Sequence, residues 1–240
     1  MTLLASIGKI SQPSSSVAFA GAEARGRQVS SKGADTAGPS ASAKSTAIRV
    51  KSMDDKKLAV LFPGIGYHCD KPLLYYSAKL AQMSGYEVLP VPYAGFPEKV
   101  RGDGDKLRAC LEIAWTQAEE MLGPVEWEDY GNLLFIGKSI GTIVASRYAA
   151  EKNLAVRNIL LTPLVETFPF VQGKAVAFHG TADPWAETRA VVAACEEKGI
   201  PLYLTEGANH SLETGDALRD VRTLEETMRR IDSFIREDDA

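Results

Sequence analysis

Six short apolar runs, mostly separated by helical patterns, constrain this chain to an open α/β sheet. They fall at residues 58–62, 86–91, 133–136, 158–161, 174–178 and 201–204. Between the second and third, Leu107, Cys110, Leu111, Ala114, Trp115, Ala118 and Leu122 recur at helical spacing, which lays one apolar face on the sheet. Trp115 and Met121 are read as core. Leu218, Val221, Leu224, Met228, Ile231 and Phe234 mark a final amphipathic helix. Asp70 and Pro72 are read as the N-cap and first turn of a helix after the first run. The expected fold is a three-layer α/β/α sandwich with a mostly parallel sheet of about six strands.

Composition narrows the function. A net charge of −4 gives no reason to expect a nucleic-acid or anionic-membrane partner. Arg229 and Arg230 stand beside Glu225, Glu226 and Asp232, as on a solvated helix face. Cys69, Cys110 and Cys195 are too scattered for a disulfide framework or a zinc site, so free thiols and no metal are expected. No stretch reaches the roughly 18 apolar residues of a membrane-spanning helix.

The chain divides in two by composition. Residues 1–54 are read as a disordered extension and 55–240 as the folded domain. Up to residue 52 the segment is rich in Ser, Ala and Gly, and its only acids are Glu23 and Asp35. Such a segment buries too little apolar surface to offset its ordering entropy. Its poverty in acids resembles an organellar transit peptide; otherwise a cytoplasmic protein is expected. Met53, followed by Asp54, Asp55, Lys56 and Lys57 and then a strand, would itself make a natural start. A chain beginning at Met53 is therefore expected to keep the full chain's melting temperature and activity. A large loss of either would contradict the division.

Gly137, Lys138, Ser139, Ile140 and Gly141 fit G-x-S-x-G between a strand and a helical run. A serine on so sharp a turn crowds its neighbours, so the flanking positions must be very small. The turn lifts the hydroxyl above the strand ends, where the next helix points its first N–H groups. A phosphate-binding loop ending in Gly137, Lys138 and Ser139 is excluded. It would need glycine where Asn132 stands, and its variable residues here form an apolar strand.

A serine hydroxyl is a weak nucleophile and needs a base oriented by a third group. After the fifth run come His179, Gly180, Thr181, Ala182, Asp183, Pro184 and Trp185; after the sixth come Glu206, Gly207, Ala208, Asn209, His210 and Ser211. Both are loops at the carboxyl ends of parallel strands, where ligand sites gather. Asp183 could instead cap a helix beginning near Pro184, with Glu206 as its substitute as the acid. His179 is read as a packed, hydrogen-bonded residue, and His68 as either site lining or plain loop.

Residues 58–236 resemble the α/β-hydrolase superfamily in their strand–helix alternation, in the Gly137–Gly141 pentapeptide, in the His179–Pro184 segment and in Asn209 with His210. The resemblance implies Ser139 as nucleophile, Asp183 as acid and His210 as base. It also implies an oxyanion hole from the Ile140 N–H and from the loop of Gly64, Ile65, Gly66 and Tyr67, with Ile65 or Gly66 as the donor. The activity implied is that of a serine hydrolase on a small acyl substrate, an ester before a thioester or peptide, with no cofactor. A C–C bond hydrolase would use the same three residues, and a ligand-binding protein of this fold would lack turnover. Only residues 164–173 separate the fourth and fifth runs, which leaves no room for a helical cap. The site should be open, bounded by residues 93–105 and 164–173. Oligomeric state is not legible in the sequence.

Overall fold

The computed structural model describes residues 56–237. The expected extension, residues 1–54, lies outside them. The elements run β1 (Lys57–Phe62), α1 (Pro72–Met83), β2 (Tyr86–Pro90), α2 (Gly104–Leu122), β3 (Asn132–Lys138), α3 (Ile140–Glu151), β4 (Val156–Leu161), β5 (Ala175–Gly180), α4 (Thr188–Lys198), β6 (Leu202–Thr205) and α5 (Ala217–Arg236). All six strands join one sheet in the order β2-β1-β3-β4-β5-β6, and every pairing is parallel.

The strands read as nearly continuous apolar runs because both sheet faces are covered. Leu58, Val60 and Phe62 of β1 face one core with Cys110 and Trp115 of α2, Tyr148 of α3 and Val191 of α4. Ala59 and Leu61 face the other, with Leu74 of α1 and Ile231 and Phe234 of α5. The three layers follow from this alternation. Arg157 of β4 ties α5 down by donating to the carbonyls of Phe234 and Ile235.

Three local readings are corrected. The N-cap of α1 is Lys71, with no side-chain cap, and Pro72 takes the first turn, so Asp70 caps nothing there. Asp70 instead lies 3.5 Å from the exposed His68 imidazole. Met121 is 37% exposed, on the outer side of α2, whereas Trp115 is buried. In α5 the apolar stripe starts too early: Leu218 and Val221 are 73% and 64% exposed, and burial begins at Thr227.

The sheet order places the site. From β1 the chain runs outward to β2 and then returns across to β3, so the order reverses between β1 and β3. A crevice opens at such a switch point, beyond the carboxyl ends of the strands. The loop after β1 and the turn after β3 form its two sides.

Candidate active site

The turn that carries Ser139 owes its shape to two glycines. Ser139 sits between β3 and α3 with φ 57°, a conformation rare outside glycine. Its N–H donates to the Leu161 carbonyl at 3.0 Å, and Thr142 Oγ1 donates to its carbonyl at 2.6 Å. A Cβ on Gly137 would lie 2.7 Å from Thr142 Cα, and one on Gly141 only 2.0 Å from the Phe62 carbonyl oxygen. The helix therefore starts pressed against both its own strand and the end of β1.

The loops after β5 and β6 are fitted to each other in the same way. A Cβ on Gly180 would meet the Ala208 carbonyl oxygen at 2.3 Å. With that space open, Thr181 and Ala182 donate to the carbonyls of Thr205 and Ala208 at 3.0 and 2.9 Å. Asn209 Oδ1 accepts from the N–H groups of Ser211 and Glu213 and so folds the turn that carries His210. The Trp185 indole stacks on the His210 ring, with centroids 5.5 Å apart.

The structure brings Ser139, His210 and Asp183 into one hydrogen-bonded line. His210 Nε2 is 2.7 Å from Ser139 Oγ, and His210 Nδ1 is 2.7 Å from Asp183 Oδ2. Asp183 Oδ1 accepts from the Trp185 N–H at 2.8 Å. The Asp183 carboxylate thus uses one oxygen for a local turn bond and the other for His210. It does not cap α4, whose N-cap is Glu187. Glu206 is exposed and meets Arg219 through its backbone carbonyl.

The surroundings set the protonation states. Burial alone would raise the Asp183 carboxyl, but the His210 hydrogen bond, the Trp185 N–H and the nearby histidines hold it below its usual value. Burial pushes His210 below the ordinary histidine value, with Asp183 opposing part of the shift. An ionised acid beside a neutral imidazole is what general-base chemistry needs near neutral pH. His179 is fully buried, with Nε2 3.2 Å from Thr188 Oγ1. Its Nδ1 lies 3.6 Å from Asp183 Oδ2, too far for a hydrogen bond.

In the loop after β1, Gly64 and Tyr67 donate to each other's carbonyls at 3.1 and 3.2 Å. Their N–H groups are thereby occupied, whereas those of Ile65 and Gly66 at the tip have no partner among the described residues. Ile140 opens α3, so its N–H has no carbonyl one turn back in the helix. A Cβ on Gly64 would sit 3.0 Å from Ser139 Cβ, which shows how closely this loop rides on the Ser139 turn.

On the far side of the loop is a cavity of about 380 Å³, whose lining includes Gly66, His68, Pro92, Tyr93 and Phe96. A short 3-10 helix, Val165–Phe170, stands between β4 and β5, and Thr167 hydrogen-bonds Thr142 on α3 at 2.6 Å. No helical cap is inserted there. Among the described residues no three His, Cys, Asp or Glu side chains gather as a metal site requires, and no helix is long and apolar enough to cross a membrane.

One residue at the site escaped the sequence reading. Lys138, next to Ser139, is 1% exposed. Its ammonium lies 4.9 Å from the centre of the Tyr67 ring. Burial pushes it down to about 7, with Asp183 working against the shift and Lys71 adding to it. The available signal was a charged residue closing an otherwise apolar strand.

No protein-family model matches the sequence, and no curated protein matches it. Solved structures do match the fold. Est1E from Butyrivibrio proteoclasticus, solved with ferulic acid bound, superposes with a TM-score of 0.57 at 15% identity, over 77% of this chain and 90% of that one. An esterase from Pyrococcus furiosus gives 0.53 at 16% identity, over 76% and 84%. A protein of the alpha/beta hydrolase superfamily from Xanthomonas campestris gives 0.50 at 14%, over 74% and 99%. The chain has the α/β-hydrolase fold.

Proposed function

We propose that this chain is a serine hydrolase that cleaves a carboxylic ester, or a thioester, by way of an acyl-enzyme. The observation that carries the reading is the unbroken Ser139–His210–Asp183 line, with both links at 2.7 Å. His210 Nε2 takes the Ser139 proton as Oγ attacks the acyl carbonyl. Asp183 holds the imidazole in the tautomer that leaves Nε2 free to accept and stabilises the imidazolium that forms. The Ile140 N–H and the Ile65 or Gly66 N–H receive the oxyanion. Protonated His210 then hands its proton to the departing alcohol or thiol. Water, deprotonated in turn by His210, releases the acid from Ser139.

The esterase activity named for the Pyrococcus furiosus relative in fold supports an ester as the first substrate to try.

Turnover of p-nitrophenyl acetate and butyrate tests the proposal, and its pH profile tests the base. His210 acts while neutral, and its proton affinity is lowered by burial. The acid limb of kcat/KM should therefore fall below the ordinary histidine value of about 6.5. Activity is expected to be full above that pH and to be lost as His210 protonates beneath it. Half-loss above a pH of about 7 would contradict a buried histidine base.

A further inference from the structure

A buried cation without a counter-ion is costly, because its hydration is lost and nothing of opposite charge replaces it. Lys138 is such a group. Among the described residues no carboxylate lies within 4.0 Å of its ammonium, and no hydrogen bond holds it; its contact is the face of Tyr67. Methionine would fill the same space without that cost.

What Lys138 touches gives the reason. Tyr67 is buried, its hydroxyl accepts from the Leu73 N–H at 3.1 Å, and its backbone closes the turn with Gly64. Ile65 and Gly66, the two residues with unpaired N–H groups, form the tip of that turn. Gly64 itself rides over the Lys138 backbone, where a Cβ would lie 3.1 Å from the Lys138 carbonyl oxygen and 3.6 Å from its Cγ. Lys71, on the same loop, places a second ammonium 5.3 Å from the Tyr67 ring centre. The ring therefore has cations from both the loop and the nucleophile strand. Such contacts are strongest when desolvated, as this one is.

We infer that Lys138 is a positioning residue: by gripping the Tyr67 ring from below, it holds the loop of Ile65 and Gly66 in register with Ser139. The inference rests on the hydrolase reading of the site. Lys138 touches no reacting atom and acts through Tyr67. The charged groups around it are Asp183, from the loop after β5; Glu213 and His210, from the loop after β6; and Lys71, beside α1. Burial brings its pKa down to about 7, so the grip is measured on the acid side of that value, at pH 6.5.

The test is the rate of labelling by a fluorophosphonate at pH 6.5, across probe concentrations, in the full chain and in S139A, K138M, Y67L and K138M/Y67L. Melting temperatures are read on the same samples. Labelling of the wild type but not S139A establishes the activated serine independently of Lys138. K138M is then expected to lower the maximal labelling rate by about 10–100-fold, the scale of an ångström of misplacement. The half-saturating concentration should stay within about twofold, since ground-state contacts are untouched. Y67L should lose as much, and the double variant no more than the worse single one, because both remove one interaction. K138M should melt at or above the wild-type temperature, because a buried unpaired charge is gone.

Labelling of K138M at the wild-type rate overturns the inference, as does a rate loss accompanied by a fall in melting temperature. If the wild type itself is not labelled, the hydrolase reading fails and the role of Lys138 falls with it.

Discussion

Ser139→Ala is expected to lower ester turnover by about 10³–10⁶-fold while the protein melts close to the wild-type temperature. The two parts of this result have separate causes. In the proposed mechanism the hydroxyl is the atom that becomes the acyl ester, and among the described residues no other hydroxyl stands within hydrogen-bond reach of His210. Residual rate would come from water and the oxyanion donors, which remain. The fold, by contrast, rests little on Oγ. The turn is held by the Ser139 N–H on Leu161, by Thr142 on the Ser139 carbonyl and by the glycines on either side. His210→Ala should cost a similar factor, since the residues act as a unit. Unchanged turnover in Ser139→Ala, measured with a p-nitrophenyl ester, would remove the assignment.

Gly141→Ala is expected to destabilise the protein by about 3 kcal/mol or more, at the upper end of overpacking effects. On propensity alone the change should help, by up to about 1 kcal/mol, because alanine favours a helix and Gly141 lies in the first turn of α3. Sterics win. The new Cβ would fall 2.0 Å from the Phe62 carbonyl oxygen and 2.5 Å from that of Pro63, and both are backbone atoms that cannot swing aside. Relief requires α3 to move off β1, which takes Ile140 and Ser139 with it, so activity should fall together with stability. For a domain of this size the melting temperature should drop by about 6 °C or more. Circular dichroism checks it, and a melt unchanged from wild type would contradict the geometry.

That steric account also explains why so much of the site could be read from sequence. Each glycine in the pentapeptide answers to a particular backbone atom, so the motif carries three-dimensional information in one dimension. Ser139, Asp183 and His210 each follow a strand of the same parallel sheet, so the G-x-S-x-G pentapeptide and the superfamily resemblance had strand-end positions to agree with. The apolar runs were legible for a similar reason. With helices on both faces, β3 and β4 are buried along almost their whole length, and their central residues are apolar.

What the sequence hid depends on distant partners. Leu218 and Val221 keep the helical period but lie in the first turns of α5, and the packed part begins only near Thr227. Periodicity reports a face, not where along the helix that face meets anything. The Trp185 ring lies against His210, a contact between two loops that neither one announces locally. Lys138 was hidden by chemistry: lysine is normally solvated, and nothing nearby in sequence announces that Tyr67 covers it. The candidate oxyanion loop was legible as a glycine-rich turn. The division of its N–H groups came only with the Gly64–Tyr67 pairing.

The central claim, an activated serine at position 139, is tested most directly by intact-mass analysis after fluorophosphonate treatment of the wild type, Ser139→Ala and His210→Ala. One adduct per chain on the wild type, absent from Ser139→Ala and strongly slowed in His210→Ala, is the expected result. A folded wild type that takes no adduct, or an adduct that persists in Ser139→Ala, would contradict it.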